Sequence, residues 1–138
     1  MTHYIGVKMV QAEPEERDGK PGYKVVYPDG YTSWSPADVF NASYLALQDP
    51  TRITREDVDE FVGEFEATQL DPKTTLVKAT TITGFVQYEV SSCVDPANYD
   101  HKLGVRLASG RIHDRMWPFL GFVLQWARFG LKPAWAVK

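Results

Sequence analysis

Cysteine is nearly absent from this chain: Cys93 stands alone among 138 residues. A lone cysteine excludes an intrachain disulfide framework and a cysteine-rich zinc site, and it suits a reducing cytoplasm. Histidine is also scarce. His3, His101 and His113 have no metal-ligand spacing with carboxylates. An excess of positive charge is missing too, with 15 Lys and Arg against 18 Asp and Glu, and a sequence pI of about 5.6. That balance disfavours wrapping a long nucleic acid but leaves room for a local basic pocket. No apolar run approaches a membrane span. The richest stretch, Trp117 to Trp126, is broken by Pro118, Gly121 and Gln125. The opening MTHYIGVKMV lacks the charged-then-apolar pattern of a secretion signal. No glycine-rich phosphate loop precedes a helix, and Cys93 has no identifiable histidine partner. The expectation is a cytoplasmic protein with no catalytic constellation, no metal, no cofactor and no membrane segment.

What is present is an ordinary globular composition, 43% hydrophobic and 24% charged, with a generous 13% aromatic residues. The length suits one domain, residues 1–138, mostly β with two short helices over 1–92 and helical over 93–130. The alternation in Tyr4–Val10 reads as a strand, followed by a charged loop from Glu13 to Gly22. Tyr23–Tyr27 reads as a second strand, Pro28-Asp29-Gly30 as a turn and Tyr31–Trp34 as a short return. Ser35-Pro36-Ala37-Asp38 reads as a helix start with Ser35 as cap. Thr54-Arg55-Glu56-Asp57 is a second capping box, opening a helix to about Glu66. Strands follow over Lys73–Ala79 and Val86–Val90, with a turn at Ile82–Phe85. Helix is expected from about Pro96 to Met116, bent or restarted at Pro118, and ending near Phe129. The fold class is therefore α+β, a small N-terminal antiparallel sheet beside long C-terminal helices.

The stretch CVDPANYD, Cys93 to Asp100, opens that helical region. Asp95 and Pro96 make a good helix start without any ligand, though a helix mouth also attracts anions. Behind it, Ala97, His101, Gly104, Ala108, Arg111 and Arg115 recur at three- or four-residue steps. Gly104 and Ala108 would let a second backbone approach. Arg111 and Arg115, about one turn apart, form a fork suited to phosphate, or simply a solvated basic helix end. Asn98 and Arg115 lie about 25 Å apart along a straight helix, so a shared small ligand requires an antiparallel second copy. Tyr88 and Phe85 are either sheet packing or a stacking platform for a base.

Two blocks carry a resemblance. GYKVVYPDGYTSWSPADVF, Gly22 to Phe40, looks like the opening of many small phage proteins. CVDPANYDHKLGVRLASGRIHDRMWPFLGFVL, Cys93 to Leu124, resembles the closing motif of a small early-phage protein family. Within it, the chain resembles the phage anti-Thoeris cyclic-nucleotide sponge family in size and plan. The resemblance implies a homodimer paired through its helices, with some members forming hexamers. It implies binding, without cleavage, of cyclic ADP-ribose isomers made by bacterial immune sensors. Some members also hold the cyclic di- and trinucleotides of CBASS defence, for which Arg52 and Arg55 are the candidates here, in a stretch, Asp49 to Lys73, that carries no aligned motif. The ligand-binding aromatic, Asn and Arg fall on Tyr88, Asn98 and Arg115, with tyrosine where phenylalanine is expected. The bottom-up reading adds Phe85 and Arg111 to that set. Two rivals are a protein-interaction module whose Trp-rich C-terminus binds a host protein, and an enzyme acting on nucleotides.

Overall fold

The computed structural model describes residues 1–132. Pro133 and Trp135, on which the reading of the tail rests, lie outside the described residues. The fold is α+β and forms two compact units: Gln48–Phe122, and Met1–Leu47 with Val123–Lys138.

In the unit holding Met1–Leu47, strands β1 (Gln11–Pro14), β2 (Gly22–Val26) and β3 (Thr32–Pro36) form an antiparallel sheet in that order. Helix α1 (Ala37–Ser43) follows. The expected strand over Tyr4–Val10 is not there. β1 pairs with β2 from Gln11↔Val26 to Pro14↔Tyr23, and past Val26 the chain turns at Tyr27–Tyr31, so residues before Gln11 have no ladder opposite them. The expected loop hides a tight hairpin. Arg17 and Lys20 exchange backbone hydrogen bonds of 3.0 and 2.9 Å around Asp18 and Gly19, both at positive φ, as an Asp-Gly turn prefers. Ser35 does not cap α1. It pairs with Tyr23 in the sheet, its hydroxyl donates to the Pro36 carbonyl, and α1 starts without a side-chain cap.

In the unit Gln48–Phe122, helix α2 (Arg55–Val62) opens on the expected capping box. Asp57 is buried, yet its carboxylate accepts from the Thr54 N–H, the Thr54 hydroxyl and the Gln48 N–H at 2.8, 3.0 and 3.2 Å. The helix ends at Val62, not near Glu66, because Gly63 takes a positive φ of 75° and reverses the chain into β4 (Glu64–Asp71). Strand β4 pairs with β5 (Thr74–Thr80), and β5 pairs with β6 (Val86–Ser92), all antiparallel. Gly84, at φ 83°, supplies the β5–β6 turn.

The helical region departs from expectation in three ways. Pro96–Asn98 is a separate 3-10 turn, with Asp95 accepting the Ala97 N–H at 2.9 Å. The long helix α3 (His101–Phe129) has its own start, where the Asp100 carboxylate accepts the Leu103 N–H. Pro118 neither ends nor restarts it. A proline there removes one helical hydrogen bond, but Pro118 is exposed, where water can take the freed carbonyl. Met116 and Leu120 on either side of it are buried. Packing on one face thus holds the helix through the missing bond. The core of this unit joins Val58 and Val62 of α2, Val77 and Ala79 of β5, and Ala108, Ile112, Met116 and Leu120 of α3.

The small-residue stripe on α3 faces inward. A Cβ on Gly104 would strike the Thr75 side chain, and Ala108 is fully buried. What Gly104 and Ala108 admit is the chain's own sheet, through the Thr75 side chain, rather than a second copy. The opposite face of the helix carries exposed Leu103, Leu107, Gly110 and Trp117.

Candidate functional site

Strand β6 is an edge of its sheet, and the order β4-β5-β6 leaves one of its sides without a strand neighbour. Its alternation is set by register. Glu89 lies opposite buried Val77, on the face that carries α3, while Tyr88 lies opposite Lys78, on the other face. Gln87, Glu89 and Ser91 therefore make a polar inward row on the edge strand.

Arg111 and Arg115 of α3 reach this strand. Arg111 Nη1 donates to the Val90 carbonyl at 2.8 Å. Arg115 Nη2 donates to the Tyr88 carbonyl at 3.1 Å and its Nε to Gln87 Oε1 at 3.3 Å. Both guanidinium groups also meet Glu89: Arg115 Nη1 hydrogen-bonds one carboxylate oxygen, and Arg111 Nη1 lies 3.9 Å from the other. The Arg115 hydrogen bond holds the Glu89 carboxyl below its ordinary value, against the opposing effect of burial. The guanidinium donors also cover carbonyls that an exposed edge would offer to a foreign strand.

The five sequence-predicted residues are thus partly assembled. Arg111 and Arg115 meet at β6. Tyr88 joins them through its carbonyl, while its ring is exposed on the opposite face of the same strand. Phe85, exposed, sits at the foot of β6, where its carbonyl accepts the Thr81 N–H. Asn98 is exposed in the 3-10 turn, well apart from the fork: the helix from His101 to Arg115 alone spans about 21 Å.

Sequence reasoning missed Glu89 and Gln87. Gln87 and Glu89 alternate with Val86, Tyr88 and Val90, and which set points inward is fixed only by pairing with β5. It also missed Tyr99, whose hydroxyl bonds Thr75 Oγ1 at 2.7 Å and His101 Nδ1 at 3.0 Å and so ties the 3-10 turn to β5. Cys93 is partly buried, and its thiol lies 3.2 Å from the Asp95 carbonyl. Among the described residues no group of His, Cys, Asp and Glu is arranged to hold a metal ion. No described helix is long and apolar enough to cross a membrane.

The model of one protein family matches residues 53–127, which is more than half of the chain. The chain belongs to the phage protein (N4 Gp49/phage Sf6 gene 66) family. The matched region holds Phe85, Tyr88, Asn98, Arg111 and Arg115 together with Glu89, and it excludes the β1–β3 sheet. No curated protein and no solved structure matches the chain. Membership in the N4 Gp49/Sf6 gene 66 family makes this a phage protein.

Proposed function

We propose that this protein sequesters a cyclic nucleotide immune signal, holding cyclic ADP-ribose isomers uncut in the cytoplasm of an infected bacterium. The observation that carries the reading is the Arg111–Arg115 fork at the open edge of β6, flanked by the exposed rings of Tyr88 and Phe85. Two guanidinium groups match the two negative charges and the geometry of a pyrophosphate. An exposed tyrosine ring suits an adenine. The fork and the ring flank one strand, so a ligand seated at that edge meets both.

Asn98 reaches the site from a second copy. The face of α3 that bears Leu103, Leu107, Gly110 and Trp117 supports antiparallel pairing of two helices, since Gly110 permits close approach beside apolar side chains. Two composite sites related by the dimer axis follow, with further association into a hexamer as an extension of the same reading. Cyclic di- and trinucleotides offer the same combination of base and phosphate and belong to the proposal. The protein acts by retention rather than by chemistry, as a sponge.

A second reading has a specific observation behind it. Exposed Leu103, Leu107 and Trp117 also suit a host protein as partner. One experiment separates these readings. The protein is incubated with cyclic ADP-ribose isomers, freed of excess ligand and heat-denatured. Release of intact isomer is expected. Release of a cleaved product would make it an enzyme, and no uptake would favour the protein partner. Asn98→Ala is expected to abolish uptake while fold and dimer persist; uptake at the wild-type level would remove Asn98 from the site.

A further inference from the structure

We infer that Glu89 is an internal counter-anion, seated in the Arg111–Arg115 fork of the free protein, which a pyrophosphate-bearing ligand must displace. The inference rests on the sponge reading and adds a regulatory residue to its site.

Geometry and charge carry it. Among the described residues Glu89 is the one carboxylate paired with the fork, hydrogen-bonded to Arg115 through one oxygen and 3.9 Å from Arg111 Nη1 through the other. It thereby occupies the position that a bridging pyrophosphate would take. The remaining partners of the fork are neutral: Gln87 Oε1, the Tyr88 carbonyl and the Val90 carbonyl. Each guanidinium group thus has a hydrogen-bond partner on β6 besides Glu89. Two arginines and one glutamate leave the cluster with a single positive charge. Removal of the carboxylate leaves two, which equals the charge of a pyrophosphate. A ligand arriving with Glu89 still seated would place like charges at hydrogen-bond range, a costly arrangement.

There is also a way out. β6 is a sheet edge, and the Glu89 side chain keeps 22% of its surface exposed. It can rotate toward solvent without breaking the ladder to β5. The depressed Glu89 carboxyl agrees with a strong internal pair, so displacement lowers the affinity for ligand. In exchange, the empty protein carries no unpaired guanidinium fork that would attract abundant cellular anions.

The test is a calorimetric titration of wild-type, E89Q, E89A and R115A proteins with each cyclic ADP-ribose isomer, with far-UV circular dichroism to compare their folds. E89Q and E89A are expected to bind about tenfold more tightly than wild type, and R115A not at all. Binding by both Glu89 variants without binding by wild type would support the inference more strongly still. Wild-type binding with unchanged or weaker affinity in E89Q and E89A would overturn the inference and leave the sponge reading intact. No binding by any of the proteins would overturn both. The wild-type protein gives a check that needs no variant. Its affinity is expected to rise only as pH falls below the ordinary carboxyl value of 4.5, where a Glu89 displaced from the fork takes up a proton, and a flat or falling affinity there contradicts the inference.

Discussion

The two three-stranded sheets have the same antiparallel meander but are stabilised by different means. In β4-β5-β6 the middle strand is sealed: Thr75, Val77 and Ala79 are fully buried, and Ile112 and Met116 of α3 are fully buried in the same unit. In β1-β2-β3 the middle strand buries only Gly22 and Val25, and α1 has no buried residue. Its support is aromatic. Phe40 stacks between Tyr23 and Tyr44, with ring centroids 4.3 and 4.8 Å away, and the Trp34 indole N–H donates to the Glu15 carbonyl at 2.7 Å. The better-packed sheet carries the candidate site, and the family match covers that sheet and not the other. A site whose donors must stay fixed belongs on the better-packed element.

That contrast can be broken by substitution. Ile112→Ala should have the largest effect, a loss of about 2–5 kcal/mol, because a fully buried side chain leaves a cavity in the sealed core. Urea unfolding measures it. A loss below about 1 kcal/mol would mean that this core is not tightly packed. Asp57→Ala comes next, at about 2–3 kcal/mol, since it strands three donors at a partly buried helix start. Thr54→Ser, which keeps the cap, should cost far less. Phe40→Ala should cost about 1–2 kcal/mol, the value of one partly exposed ring with two stacking neighbours. If Phe40→Ala proves as costly as Ile112→Ala, the two sheets are not held differently.

The smallest expected effect depends on pH. The folded-state pKa of Glu89 is depressed, so its pairing with Arg115 stabilises the fold fully above the ordinary carboxyl value of 4.5. That contribution is lost as pH falls through the lower folded value. Melting temperatures of wild type and Glu89→Gln should therefore differ most near neutral pH and converge in acid. A gap that widens in acid would contradict the assignment.

The sequence made parts of this fold plain and hid others for physical reasons. Pro28-Asp29-Gly30 and Gly84 were legible as turns because few residues tolerate such backbone. The Thr54–Asp57 box was legible because both of its partners are local. Strand β4 was hidden, since all its residues are exposed and their polar character resembles the helix before it. The two helix starts at Asp95 and Asp100 merged into one on paper, because both residues cap and lie close together. In the site, the spacing of Arg111 and Arg115 revealed a shared face. What that face meets depends on which residues of β6 point inward, and a register fixed by long-range pairing is invisible to local pattern. Glu89 was missed for that reason, and the inward use of Gly104 because its neighbour, Thr75 of β5, is brought to it only by the tertiary fold.

The most direct measurement of the central claim is the affinity of wild-type and Arg115→Ala proteins for cyclic ADP-ribose isomers at neutral pH. The account predicts tight, reversible binding by the wild-type protein, with ligand recovered chemically unchanged, and no detectable binding by Arg115→Ala. Equal binding by the two proteins, or ligand recovered cleaved, would contradict it.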